Sequence, residues 1–396
     1  MSTGTQTASS GELIQQGNGQ TGPRRLLAFL IRPSVVTALL YLVFIVAFSM
    51  YKQYDALHYV HIGTVFSQHV AHGSAGYDGQ FFYYMVTDPQ HAPAHIDDPS
   101  YRYQRIIYPL LTVLLSLGQK ALVPYAMLLI NFVSIVGSVE IAAYLLKRRQ
   151  LSPWYSLALG LYFGQTTAFI FDTTEPLTYF LICLGLLSLE WKRTRTAAIC
   201  MSLAVLARET AVLFPLGYIA LLFWRRRWWE SIRFALISLL PTALWYGLIV
   251  IIFGRTGLGY APPFERIPFR GLFVFYQDPN RFPPLIILMF IPTVLSIIAF
   301  ARAALPRRWG NCTWHTWLIW GLNLALTIFM SIASYEELVS AGRLSTGLVL
   351  AMLLYGWQAR DRFTLWASQI YTITFILYIA GLFLLRAGPF LLLFPS

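Results

Sequence analysis

The 396-residue chain is 57% hydrophobic and 16% aromatic, with only 12% charged residues and a formal net charge of +12. A soluble domain carries about 25% charged residues, so this composition excludes one. It also excludes a nucleic-acid binder, because the Lys and Arg residues stand in short clusters between apolar runs, the pattern that orients membrane helices.

The first 23 residues are polar and rich in Gly, Ser, Thr and Gln, which predicts a disordered cytoplasmic tail. Residues 24–396 then read as one all-α, polytopic transmembrane helical bundle. The first apolar run, Pro33 to Met50, has no small-residue cleavage site after it and is expected to stay as an anchor. Basic clusters follow at Lys147-Arg148-Arg149, Lys192-Arg193, Arg225-Arg226-Arg227, Arg302 with Arg307 and Arg308, and Arg360 with Arg362, after a first at Arg24, Arg25 and Arg32. If all are cytoplasmic, the chain between neighbouring clusters crosses an even number of times.

That parity demotes one apolar stretch. Residues 106–117 would make a helix of roughly 18 Å against a hydrocarbon core of about 30 Å. They read as a juxtamembrane helix inside a long first outer loop, 52–123. The pairs 153–171/176–190, 231–253/284–304 and 314–333/341–357 each go out and back. Two short limbs between Arg195 and Arg225 meet at Ala207-Arg208-Glu209-Thr210. Segment 254–283 is a second outer loop, read as a lid, an acceptor contact or a plain connection. The last span, 363–385, leaves the C-terminus outside. The expectation is about 11 membrane helices in the cell membrane, with 12 of the 17 acidic residues on the outer face.

Ionisable groups at membrane depth are costly and mark candidate sites. Four outer junctions carry them: Asp55, Asp78, Asp88, Arg102 and Arg105 in the first loop; Asp172-Thr173-Thr174-Glu175 in one turn; Arg208-Glu209; and Glu336, Glu337 and Arg343. Asp88, Asp97, Asp98 and Glu265 read as solvated loop charges. Gly76 and Gly79 flank Asp78 and allow a tight turn and a close backbone approach. The aromatic run Phe81–Tyr84 suits the interface or a sugar ring. A carboxylate there can take a proton from a hydroxyl acceptor, and guanidiniums match phosphate oxygens bidentately. His58, His61, His69 and His72 follow helical spacing and read as the polar face of an interfacial helix, with metal binding the other reading. Cys183, Cys200 and Cys312 lack metal-ligand spacing and read as structural thiols.

The chain resembles the GT-C superfamily of integral membrane glycosyltransferases, in particular bacterial members with a Tyr-Asp-Gly-Gln-Phe-Tyr-Tyr type first outer loop. The likeness rests on Tyr77-Asp78-Gly79-Gln80-Phe81-Phe82-Tyr83-Tyr84, on Tyr101 to Leu110, on Asp172 to Leu177 and on Leu206-Ala207-Arg208-Glu209. It covers roughly residues 50–215; the C-terminal third matches only in its apolar character and Arg343. The resemblance implies transfer of a sugar, with inversion, from a polyprenyl-phosphate donor to an unnamed glycan, lipid or protein acceptor at the extracytoplasmic face. Asp78 would be the base, Asp172 and Glu175 further catalytic carboxylates, and Gln80, Tyr83, Arg102, Arg105, Arg208, Glu209 and Arg343 substrate-binding. No metal ligands are assigned, a divalent metal stays open, and no nucleic acid is expected. Many relatives carry paired acids at the catalytic position, whereas Asp78 stands alone, with Asp55 as its nearest rival. The reading from another class is a multi-pass lipid or solute transporter or flippase.

Overall fold

The structure, a computed structural model, describes residues 31–52, 55–305 and 313–384. The polar tail 1–23, Arg307, Arg308 and Cys312 lie outside them. Among the described residues every regular element is helical. Six helices are long and apolar enough to cross a membrane: Pro33–Met50, Lys120–Arg148, Trp228–Phe253, Phe282–Ala303, Leu338–Ala359 and Arg362–Leu382. Ile107–Ser116, Thr194–Ala207 and Glu209–Trp224 are apolar but shorter.

The expected span 153–171 is not one helix. It runs as short pieces, Pro153–Ser156 and Leu157–Gly160, and resumes as Phe163–Ile170 after the extended Tyr162. The break is held from outside. Tyr41 of the first long helix donates its hydroxyl to the Gly160 carbonyl at 3.0 Å, which satisfies a backbone group that a broken helix leaves open. Every residue from Phe163 to Ile170 is buried, so this piece fills the bundle interior.

The stretch after Arg105 folds as the ten-residue helix Ile107–Ser116, about 15 Å long and too short to cross. Tyr108, Pro109, Thr112 and Ser116 face inward, while Leu110, Leu114 and Leu117 leave an apolar face uncovered. The histidine stripe dissolves. Ala56–Val60 ends at His61 in a left-handed conformation, Thr64–Ser67 is a separate turn, and His69 also has positive φ. With two reversals in nine residues, helical spacing in the sequence does not become one helical face.

Contacts sort the chain ends as parity requires. Arg149 pairs with Glu190 at 2.8 Å and Arg302 with Asp361 at 3.1 Å. Arg149, Glu190, Arg225, Trp357 and Gln358 line one cavity of about 280 Å³. The basic clusters at 147–149, 190–193, 225–227 and 358–362 therefore share one end of the bundle. The starts of Glu175–Glu190 and Leu338–Leu344 and the end of Thr194–Ala207 lie at the other, and all the ion pairs described next are there.

Candidate functional site

The site begins with the turn that carries Asp78. Gly76 adopts φ +66°, and a Cβ on it would meet the Gly63 nitrogen at 2.4 Å and the His61 carbonyl at 2.5 Å. A Cβ on Gly79 would lie 2.4 Å from the Phe171 carbonyl oxygen. Tyr77 packs its ring on Phe171 at 4.5 Å. The first loop is thus seated on the 171–174 turn, and two glycines make that approach possible. That seating sets Asp78 beside Glu175, which opens the Glu175–Glu190 helix.

Four arginines and four carboxylates then interlock. Arg102 grips Asp97 through two bonds, Nε to Oδ1 at 2.8 Å and Nη2 to Oδ2 at 2.6 Å. Its remaining Nη1 reaches Asp78 Oδ1 at 2.8 Å. The other oxygen of Asp78 accepts from Arg343 Nη2 at 2.7 Å. Arg343 Nε donates to Glu175 Oε1 at 2.7 Å, and Arg208 Nη1 approaches the same oxygen at 2.7 Å. Beside this chain, Arg105 holds Glu209 through Nε at 3.1 Å and Nη2 at 2.8 Å, and also donates to the Tyr101 hydroxyl at 2.7 Å. Aromatic faces back the cations: Phe81 lies 4.6 Å from the Arg102 guanidinium carbon, Tyr101 4.7 Å from that of Arg105, and Tyr77 5.0 Å from that of Arg343.

The network is deep at one end and open at the other. Glu175 is fully buried and Arg343 is 3% exposed, whereas Asp78 is 19% and Glu209 26% exposed. Burial would raise the Asp78 carboxyl, but the Arg102 and Arg343 guanidiniums overcome it and hold the group well below the usual carboxylate range. In this arrangement Asp78 is an ionised partner of two cations, and while so held it is a weak base.

Of the expected site residues, Asp78, Arg102, Arg105, Glu175, Arg208, Glu209 and Arg343 come together. Three do not. Asp172 is fully buried with φ +46°, and Asn131 Nδ2 donates to its carboxylate at 3.3 Å. It sits beneath the turn, outside the arginine network. Gln80 is buried and ties the loop, accepting from the Gly63 N–H at 3.0 Å and donating to the Ala75 carbonyl at 2.7 Å. Tyr83 meets Tyr84 edge to face at 5.7 Å, away from the cations, because the helix Gly79–Thr87 turns about 100° per residue. Only Phe81 of the aromatic run faces the site, and Phe82 packs on Tyr108 in the core.

Asp55, the rival base, caps the helix Ala56–Val60, accepting from the N–H groups of Leu57 and His58. Asp97 and Asp98 are more than solvated loop charges. Besides the Asp97–Arg102 fork, Asp98 pairs with Arg255 at 2.9 Å and the Tyr260 hydroxyl reaches Asp97 at 3.4 Å. The second outer loop is therefore laid on the first, next to Arg102. No sequence spacing marks the Asp97–Arg102 pairing, because a five-residue step is not one that local structure brings together. Among the described residues no three His, Cys, Asp or Glu side chains converge as metal ligands do.

Comparison with protein-family models, with curated proteins and with solved structures finds no match to this chain.

Proposed function

We propose that this chain is a membrane glycosyltransferase of GT-C type, with about 11 membrane helices counting the short ones, that moves a sugar from a polyprenyl-phosphate donor to an acceptor hydroxyl. The end bearing the arginine network would face outward and the basic clusters the cytoplasm, since positive loops stay inside. The observation that carries this reading is the convergence of Arg102 and Arg343 on Asp78, which is 19% exposed. Two guanidiniums meeting at one accessible anion make a place where a phosphate monoester can be exchanged in.

The chemistry follows from that exchange. A donor phosphate takes Arg102 and Arg343 away from Asp78 and gains fixed positive charge for the leaving group. Asp78, relieved of both cations, regains ordinary basicity and accepts the acceptor's proton. The acceptor oxygen bonds to the anomeric carbon as the carbon–oxygen bond to phosphate breaks, and that electron pair stays on the polyprenyl phosphate. Glu175, itself paired with Arg208, holds Arg343 in place from below, and Arg105 with Glu209 borders the same mouth.

The test is transfer of labelled sugar from polyprenyl-phosphate donors by the purified chain in nanodiscs. Transfer that requires Asp78, Arg102 and Arg343 supports the reading. Donor-independent movement of lipid or solute across vesicles by the same preparation, with no transfer, would replace it with the transporter reading.

A further inference from the structure

At the basic end of the bundle a second place gathers positive charge, and there no acid matches it. Thr194–Ala207 and Trp228–Phe253 both start at this end and pack on each other, with Arg195 in the first turn of one and Arg233 in the second turn of the other. Between them and Leu222 of the Leu213–Trp224 helix lies a groove of about 120 Å³. Ala198, Leu222, Phe234 and Ile237 wall it with apolar surface, and Arg195 and Arg233 border it. Glu230 borders it too, but Arg227 takes both of its oxygens in a fork. Among the described residues the side chains of Arg195 and Arg233 have no ion pair and no hydrogen bond. Every arginine of the Asp78 network, by contrast, is matched by a carboxylate.

We infer that this groove binds an anionic phospholipid of the surrounding membrane, its phosphate held between Arg195 and Arg233. Guanidiniums match phosphate oxygens bidentately, and basic pockets between helix ends suit lipid headgroups. Two like charges on one groove, with the nearby acid already engaged, are eased by an anion placed between them. The depth is that of headgroups. Trp228 and Trp229, 46% and 81% exposed, open the same helix, and exposed tryptophans sit at the membrane–water boundary. The rest of that helix makes the occupant a lipid and not a free phosphate. From Arg233 a step of three residues and then steps of four lead to Leu236, Leu240, Leu244 and Leu248, all exposed. Residues so spaced form one ridge along a helix, and an acyl chain hanging from a phosphate at Arg233 lies along it. Nothing at this groove depends on the reaction at Asp78.

A photoactivatable phosphatidylglycerol, present as a minor component of phosphatidylcholine nanodiscs that hold the full chain, tests this. It is expected to label residues 194–203 and 228–244. Unlabelled phosphatidylglycerol is expected to compete, and inorganic phosphate is not. Arg195→Gln with Arg233→Gln is expected to lower the labelling at least about tenfold, since two charge-assisted contacts are lost. Lys147→Gln with Arg362→Gln removes the same charge from the same end and is expected to leave it unchanged. A phosphatidylcholine probe that labels the groove equally overturns headgroup recognition. Equal loss in the two double variants overturns the groove in favour of diffuse surface charge. Displacement by inorganic phosphate overturns a lipid as the occupant. The competition and the phosphatidylcholine comparison are read on wild type, so they decide the matter even where a double variant fails to fold.

Discussion

Removing the Asp78 charge separates two roles that a simple active-site reading would merge. In the network Arg102, Arg105, Arg208 and Arg343 face Asp78, Asp97, Glu175 and Glu209, so the formal charges cancel. A phosphate that arrives must displace Asp78 from Arg102 and Arg343, and until it has done so the two anions share those cations. Held on the same guanidiniums, carboxylate and phosphate lie about 5 Å apart and repel by about 3 kcal/mol at an effective dielectric of about 20. Asp78 is 19% exposed, and solvent and salt screening reduce that figure to about 1.5 kcal/mol. This is roughly tenfold in affinity. Asp78→Asn keeps the shape and one acceptor oxygen but not the charge. The variant is expected to bind polyprenyl monophosphate about tenfold tighter while sugar transfer falls at least about a hundredfold. Binding of radiolabelled polyprenyl monophosphate to nanodisc-embedded protein at fixed ionic strength gives the first number, and initial transfer rates give the second. Weaker or unchanged binding by a folded Asp78→Asn refutes the competition. Undiminished transfer refutes the base.

Other substitutions test the frame around it. Glu175→Gln leaves Arg208 and Arg343 buried with one charge too few. It is expected to cost about 3–5 kcal/mol, visible as a thermal midpoint well below that of Asp78→Asn. Gln80→Ala removes two bonds that tie residues 63 and 75, for about 1–3 kcal/mol. Faster amide exchange over 61–76 with a donor KM close to wild type distinguishes this tie from a substrate contact. Gly79→Ala forces a Cβ against the Phe171 carbonyl and should abolish transfer, whereas Gly247→Ala meets nothing within 4 Å and should raise stability by about 1 kcal/mol. Acid sensitivity follows from Asp78, whose folded pKa lies below its unfolded one. Its stabilisation is complete above about pH 4 and lost as pH falls further, so the low-pH fall in thermal midpoint should be shallower in Asp78→Asn.

Charge parity was legible because it needs only the order of basic clusters and apolar runs. It placed Lys147–Arg149, Lys192, Arg225 and Arg360 at one end, and it marked 106–117 as too short to cross. The glycines around Asp78 were legible as well, since a carboxylate between two glycines in a polar loop implies a close approach. What escaped depends on where side chains point. Gln80 and Tyr83 sit within five residues of Asp78, yet a helix turns them away from it. Asp97 looked like a solvated loop charge, because nothing in the sequence says that a five-residue step closes a fork on Arg102. Arg343 could be placed at a late turn but not against Tyr77 and Asp78, since those contacts depend on how the last third of the chain docks on the first loop. The break at Gly160 depends on Tyr41, a residue in another helix.

One oxygen atom, Glu175 Oε1, receives both Arg208 and Arg343, and this has a consequence for biogenesis. A chain synthesised from its N-terminus delivers Glu175 and Arg208 to the membrane long before Arg343 emerges. Until then Asp78 and Glu175 each lack one of their two cations, although the Asp78–Arg102, Glu209–Arg105 and Glu175–Arg208 contacts can already close. The site is therefore completed as one of the last events of assembly. A chain that stops before residue 343 would be recognisable to membrane quality control by two acids, Asp78 and Glu175, each short of one cation.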